Sequence, residues 1–114
     1  MRTKAPPDQL EKFGRFAGPA TLILSSLADG SKHGWALTKD IEEFAGIRLA
    51  PGTLYEALNR LEGLGLIEGM PSEDRRRPYR LTSAGAVALA DHLAAQRRIV
   101  NVGLRRLRTS GGTA

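Results

Sequence analysis

The chain contains no cysteine. Disulfides, thiolate metal sites and cysteine nucleophiles are therefore excluded, and the composition suits a reducing, cytoplasmic setting. Histidine is scarce. His33 and His92 are the two present, and neither has the closely spaced His, Asp or Glu partners that a zinc site needs. The sequence also lacks a glycine-rich phosphate loop, a G-x-S-x-G elbow and a convincing Ser/His/Asp grouping. No catalysis, cofactor or metal is expected. Long apolar runs are missing too. The longest, Ala17 to Ala28, is interrupted by Pro19 and two serines, and it falls short of the roughly 20 apolar residues of a membrane span. Met1 to Gly14 carries Pro6, Pro7, Asp8 and Glu11 where a signal peptide needs an apolar stretch.

The 114 residues are enough for about one domain. Hydrophobic residues make up 41% and charged residues 25%, which fits a globular chain. The formal charge of +5 points toward a polyanionic partner. Its distribution weakens that argument. Residues 1–96 contain as many Asp and Glu as Lys and Arg, so the excess resides in Arg97, Arg98, Arg105, Arg106 and Arg108. These arginines are expected to solvate the last helix and complement its negative C-terminal end. Any case for nucleic-acid binding must rest on local charge placement.

Periodicity gives that placement. A short helix is expected over residues 8–16. Pro19 suits the first turn of a helix that runs through Leu22, Ile23, Leu24 and Leu27 to the Asp29-Gly30 turn. A second spans about His33 to Ala45, with Leu37, Ile41, Phe44 and Ala45 on one face, and Gly46 closes it. Ile47 to Leu49 is a very short strand or an extended connector. A third helix starts near Pro51, where Leu54, Ala57, Leu58, Leu61 and Leu64 form an apolar stripe that ends at Gly63 and Gly65. Leu66 to Met70 and Tyr79 to Leu81 are expected to pair as antiparallel strands around a polar tip containing Arg75, Arg76 and Arg77. Thr82 or Ser83 then caps a long helix to about Leu107.

This order predicts a mainly α fold with a small β-wing. Residues 1–81 form a winged helix-turn-helix, residues 82–108 a C-terminal helix, and residues 109–114 a disordered tail. About 25 residues of helix reach roughly 38 Å, more than a core this small can cover. Its stripe, Leu89, Leu93, Val100, Leu104 and Leu107, is therefore expected to bury against a second copy. In a helix-turn-helix the second helix enters the major groove. Its outward face would carry Thr53, Asn59 and Arg60, with Tyr55 at the margin and Glu56 among them. Asn and Arg suit adenine and guanine edges. Thr53 and Glu56 also match a capping box, which competes with a helix start at Pro51. Arg75, Arg76 and Arg77 suit phosphates or a narrow minor groove. Trp35 is expected in the core or a dimer contact, or else lining a ligand cavity. The function expected is a sequence-specific DNA-binding regulator, with a protein-interaction module of the same fold as the alternative.

The segments HGWALTKDIEE (33–43), LAPGTLYEALNRLEGLGLIEG (49–69) and RRPYRLTSAG (76–85) resemble the PadR family of bacterial transcriptional regulators. The resemblance covers about residues 18–107, and its middle motif is specific. The short C-terminus resembles the branch with a single dimerisation helix. The family implies a homodimeric repressor that binds a palindromic operator in double-stranded DNA and is released by a small, often aromatic, effector. Carried over by position, Thr53, Leu54, Tyr55, Asn59 and Arg60 fall on the recognition helix, Arg75 to Arg77 on the wing, and 83–107 on the dimerisation helix. The chain departs from the pattern at three places. Ala50 replaces a Ser or Thr, Trp35 a Tyr, and Glu56 a Pro. The last helix also has no aromatic residue, so an aromatic ligand would rely on Trp35, Phe13, Phe16 or Phe44.

Overall fold

The computed structural model describes residues 18–72 and 77–110. The helix expected over 8–16 lies outside these residues. The elements are α1 (Pro19–Leu27), α2 (Gly34–Ala45), α3 (Pro51–Gly63), β1 (Ile67–Gly69), β2 (Tyr79–Leu81) and α4 (Ser83–Ser110). Pro19 opens α1, where its fixed φ suits a helix and its missing N–H costs nothing. Ile23, Leu24 and Leu27 then point inward, and α1 packs against α2, α3, α4 and β2.

The core forms where the three helical stripes meet. Ile23, Leu37, Ile41, Leu58 and Ile67 have essentially no exposed surface. Two members of the expected stripes lie elsewhere. Phe44 is about half exposed, and Leu64 is 65% exposed. Leu64 falls outside because α3 ends one residue earlier. Gly65 adopts φ +79°, and the N–H groups of Gly65 and Leu66 return to the carbonyls of Glu62 and Leu61, each at 3.0 Å. This paired closure needs a left-handed residue, which glycine supplies without strain. It also turns the chain directly into β1.

β1 and β2 pair antiparallel, Ile67 with Leu81, Glu68 with Arg80 and Gly69 with Tyr79. Ile67 and Tyr79 face the core, while Glu68 and Arg80 face out and bond across the strands at 2.9–3.0 Å. Ile47 to Leu49 forms no strand. Instead Lys32, in the α1–α2 connection, bridges the other edge of β2, its backbone exchanging bonds of 3.1 and 2.9 Å with Tyr79. A single-residue bridge has no alternating pattern to betray it in sequence.

A polar knot ties that connection down. The Lys32 ammonium donates to the Ser26 carbonyl and to Asp29 Oδ1, and the buried Ser26 hydroxyl donates to Asp40 Oδ2 at 2.6 Å. The hydrogen bond and charge of Lys32 hold the Asp29 carboxyl below its ordinary value. A depressed carboxylate pKa stabilises the fold above the ordinary pKa and loses that effect as pH falls through the lowered one. The contribution is therefore constant through neutral pH.

Thr82 is the cap of α4. Its hydroxyl accepts from the Gly85 N–H at 3.0 Å and donates to the Gly65 carbonyl at 2.7 Å, stitching the end of α3 to the start of α4. α4 has 28 residues, roughly 42 Å. It continues through Thr109 and Ser110, residues assigned to the tail by sequence, and the Thr109 hydroxyl donates to the Arg106 carbonyl. Only Gly85 and Leu89 of this helix are buried. A Cβ at Gly85 would overlap the Leu66 carbonyl oxygen. That oxygen is held by the Thr82 N–H at 3.1 Å and cannot easily move. Gly85→Ala is expected to destabilise the fold by about 1–3 kcal/mol, as overpacking does, read as a lower midpoint in urea unfolding with an unchanged slope.

Candidate nucleic-acid interface

The buried side of α3 decides its exposed side. Leu54, Leu58 and Leu61 are 0–3% exposed. At 100° per residue, Gly52, Glu56, Asn59 and Gly63 therefore point away from the core, flanked by Tyr55 on the α2 side and by Thr53 and Arg60 on the α1 side. Helix α3 begins at Pro51 with Ala50 before it and no side-chain cap. The capping box between Thr53 and Glu56 is not formed, since both lie inside the helix. Thr53 is half-buried and lines a small groove with Pro19, Ala20, Glu56, Ala57, Arg60 and Leu61. Glu56 sits 4.0 Å from Arg60, and both are about 70% exposed, so the pair contributes little to stability. Asn59 is exposed.

Arg75 and Arg76 lie outside the described residues. Arg77 does not project freely. Its guanidinium lies 3.1 Å from Glu62 Oε2 and 5.6 Å from the centre of the Tyr79 ring. The same Glu62 oxygen accepts from the Gly69 N–H at 3.1 Å. A Cβ at Gly69 would overlap the Arg77 guanidinium. One carboxylate on α3 thus holds the edge of β1 and the first described residue after the wing tip. Sequence reasoning assigned Glu62 no role. Glu62 is the i+8 neighbour of Leu54, and nothing local distinguishes it from a solvated charge.

Trp35 is 67% exposed at the start of α2, so the core position expected for it is not found. Lys39, one turn on, places its ammonium 5.2 Å from the ring centre. Trp35 rims a groove of about 610 Å³ between the first turns of α2 and α3, lined also by Gly34, Thr38, Arg48, Leu49 and Tyr55. The Tyr55 hydroxyl occupies the space where a Cβ at Gly34 would stand.

Along α4, Leu89 is spent on the protomer's own core. Leu93, Val100, Leu104 and Leu107 are 43–68% exposed and remain on one side. Val87 and Ile99, which the stripe omitted, are also exposed. Among the described residues no group of three His, Cys, Asp or Glu could hold a metal, and no helix is long and apolar enough to cross a membrane.

Three helices, the last two in helix-turn-helix order, followed by a two-stranded wing define a winged helix-turn-helix protein. The chain belongs to the PadR-like family of transcriptional regulators, whose family model matches residues 23–91. A crystal structure of a PadR family transcription regulator from a hypervirulent Clostridium difficile is similar, with 30% identity and a TM-score of 0.71 over 77% of this chain and 96% of that one. Among curated proteins, the transcriptional regulator Rv3488 of Mycobacterium tuberculosis is 44% identical over 60% of this chain and 66% of its own length. The transcriptional activator GvpE1 of Halobacterium salinarum is 33% identical over 77% of this chain and 46% of its own. The chain spans from about a fifth to two thirds of the length of the curated relatives it matches. Regulators of this family bind DNA and are generally dimeric.

The Glu62 anchor has a direct test. Glu62→Ala removes acceptors for Gly69 and Arg77, at a cost of about 1 kcal/mol for partly exposed charge-assisted bonds. Limited proteolysis between residues 70 and 78 should quicken by more than the loss of hydrogen-exchange protection in α1, which reports global stability.

Proposed function

We propose that the protein is a dimeric, non-enzymatic, sequence-specific DNA-binding regulator that acts as a repressor. The observation that carries this is the outward polar face of α3, with Asn59 and Arg60 exposed and the arginine-rich segment following it in sequence after β1. In this proposal residues 1–81 are the DNA-binding domain and 82–108 the dimerisation element. Thr53, Tyr55, Asn59 and Arg60 meet the major groove. Arg75, Arg76 and Arg77 clamp flanking phosphates, Arg77 through guanidinium N–H groups that its contact with Glu62 leaves over. Two such heads would enter successive major grooves of a palindromic operator, roughly 34 Å apart. A small hydrophobic or aromatic effector would release the protein by favouring a different spacing of the heads. Only a difference in affinity between two states can shift the equilibrium.

Replacing Arg75, Arg76 and Arg77 together by Ala should weaken operator binding at least tenfold, through lost phosphate neutralisation, and flatten its salt dependence. Anisotropy titrations at several salt concentrations read both effects, and unchanged binding removes the wing from the interface. A second proposal comes from Glu56, whose exposed carboxylate stands on the face meant for DNA. A protein-interaction module of the same fold would tolerate it. Failure to shift DNA from the protein's own upstream region at low salt would favour that module.

The dimer is supported by the exposed side of α4. Leu93→Glu with Leu104→Glu should convert the protein to a folded monomer. Light scattering after size exclusion reports the mass and circular dichroism the retained helix. A dimer that survives both charges would place the interface elsewhere.

A further inference from the structure

The groove between the first turns of α2 and α3 is next to the face proposed to read bases, and Tyr55 belongs to both. Four arginines are described between residues 18 and 82. Three face carboxylates: Arg60 with Glu56, Arg77 with Glu62, and Arg80 with Glu68. The fourth, Arg48, is exposed at the groove wall and, among the described residues, has no acidic partner. Lys39 places its ammonium over the Trp35 ring, a second cation beside the groove. Among the described residues no carboxylate lines the groove. The nearest acidic residue along that side of α2, Glu42, is one turn beyond Thr38. The walls are apolar and aromatic at the same time, with Leu49, Leu54, Tyr55 and Trp35 contributing.

From these features we propose that this groove seats a sugar–phosphate segment of duplex DNA beside the major groove entered by α3. The proposal rests on the DNA-binding function above and extends it to residues outside the recognition helix and wing. A nucleic-acid backbone alternates an anionic phosphate with a largely apolar deoxyribose face. Arg48 and Lys39 supply the charge for the first, and the exposed rings of Trp35 and Tyr55 supply packing for the second. Contacts of this kind fix register on the duplex without carrying sequence information. Trp35 and Arg48 are accordingly positioning residues, and their loss should weaken all duplexes alike. The groove is thereby assigned to DNA and not to an effector.

Trp35 is the single tryptophan of the chain, so its fluorescence reports on this groove alone. The experiment uses the full chain and fluorescein-labelled duplexes of about 30 base pairs, mixed in sequence, at low salt, where backbone contacts dominate binding. Anisotropy of the label measures binding, and acrylamide quenching of Trp35 measures location. Bound DNA is expected to cut the quenching constant at least twofold. Trp35→Ala and Arg48→Ala should each weaken binding about three- to tenfold on every sequence tested. Trp35→Phe should restore most of the loss. Arg48→Ala should also lower the salt slope by about 1, as expected for one lost phosphate contact. If the duplex binds and Trp35 stays equally quenchable, the groove lies off the DNA and the proposal fails while DNA binding stands. If Trp35 is already shielded before DNA is added, a second copy fills the groove and the proposal also fails. If the unaltered protein binds none of these duplexes, DNA binding itself falls, and this assignment with it.

Discussion

The burial of Leu54, Leu58 and Leu61 against α1 and α2 is the constraint on which the rest depends. A helix of 13 residues with three leucines on one line has a single orientation that removes them from water. Fully burying each leucine contributes about 1.5–3 kcal/mol. A rotation of α3 large enough to turn Asn59 inward would forfeit much of that. The direction in which α3 presents its polar face is thus set by hydrophobic burial on the other side. The polar residues on that face need little support of their own.

The same helix organises the wing and α4. Its last turn closes on Gly65, and Thr82 bonds both back to Gly65 and forward to Gly85. Both elements therefore leave α3 from one tightly bonded junction. Glu62 extends this control to the wing by holding Gly69 and Arg77. That arrangement keeps an arginine adjacent to the tip paired within the protein. That contact engages one face of the guanidinium, and the Arg77 side chain stays 49% exposed.

Much of the fold was legible in the sequence, and the reason differs between elements. The starts of α1 and α3 were marked by Pro19 and Pro51, and the end of α2 by Gly46, because each has backbone geometry that few other residues accept. The core sides of α2 and α3 emerged from helical spacing of large apolar residues. Local signals that compete were harder to separate. Thr53 and Glu56 match a capping box in sequence, yet Pro51 fixes the helix start ahead of them and leaves Thr53 within the first turn. Leu64 continued the leucine spacing, but spacing cannot show that the helix has already turned at Gly65.

By itself the sequence determined the order of elements, the inward faces of α2 and α3, the wing after them, and the resemblance to the PadR family. These depend on neighbours within a few residues, where periodicity and backbone preference act directly. Only the tertiary structure decided which polar side chains are already taken. Lys32 bridging β2, Glu62 gripping Arg77, Leu89 sinking into the core, and Trp35 standing open beside an Arg48 that has no acidic partner among the described residues are all products of segments that meet across the fold. A charge or an aromatic ring carries no record in the sequence of what lies opposite it. Its availability to a partner is settled when the packed core brings distant elements to their places.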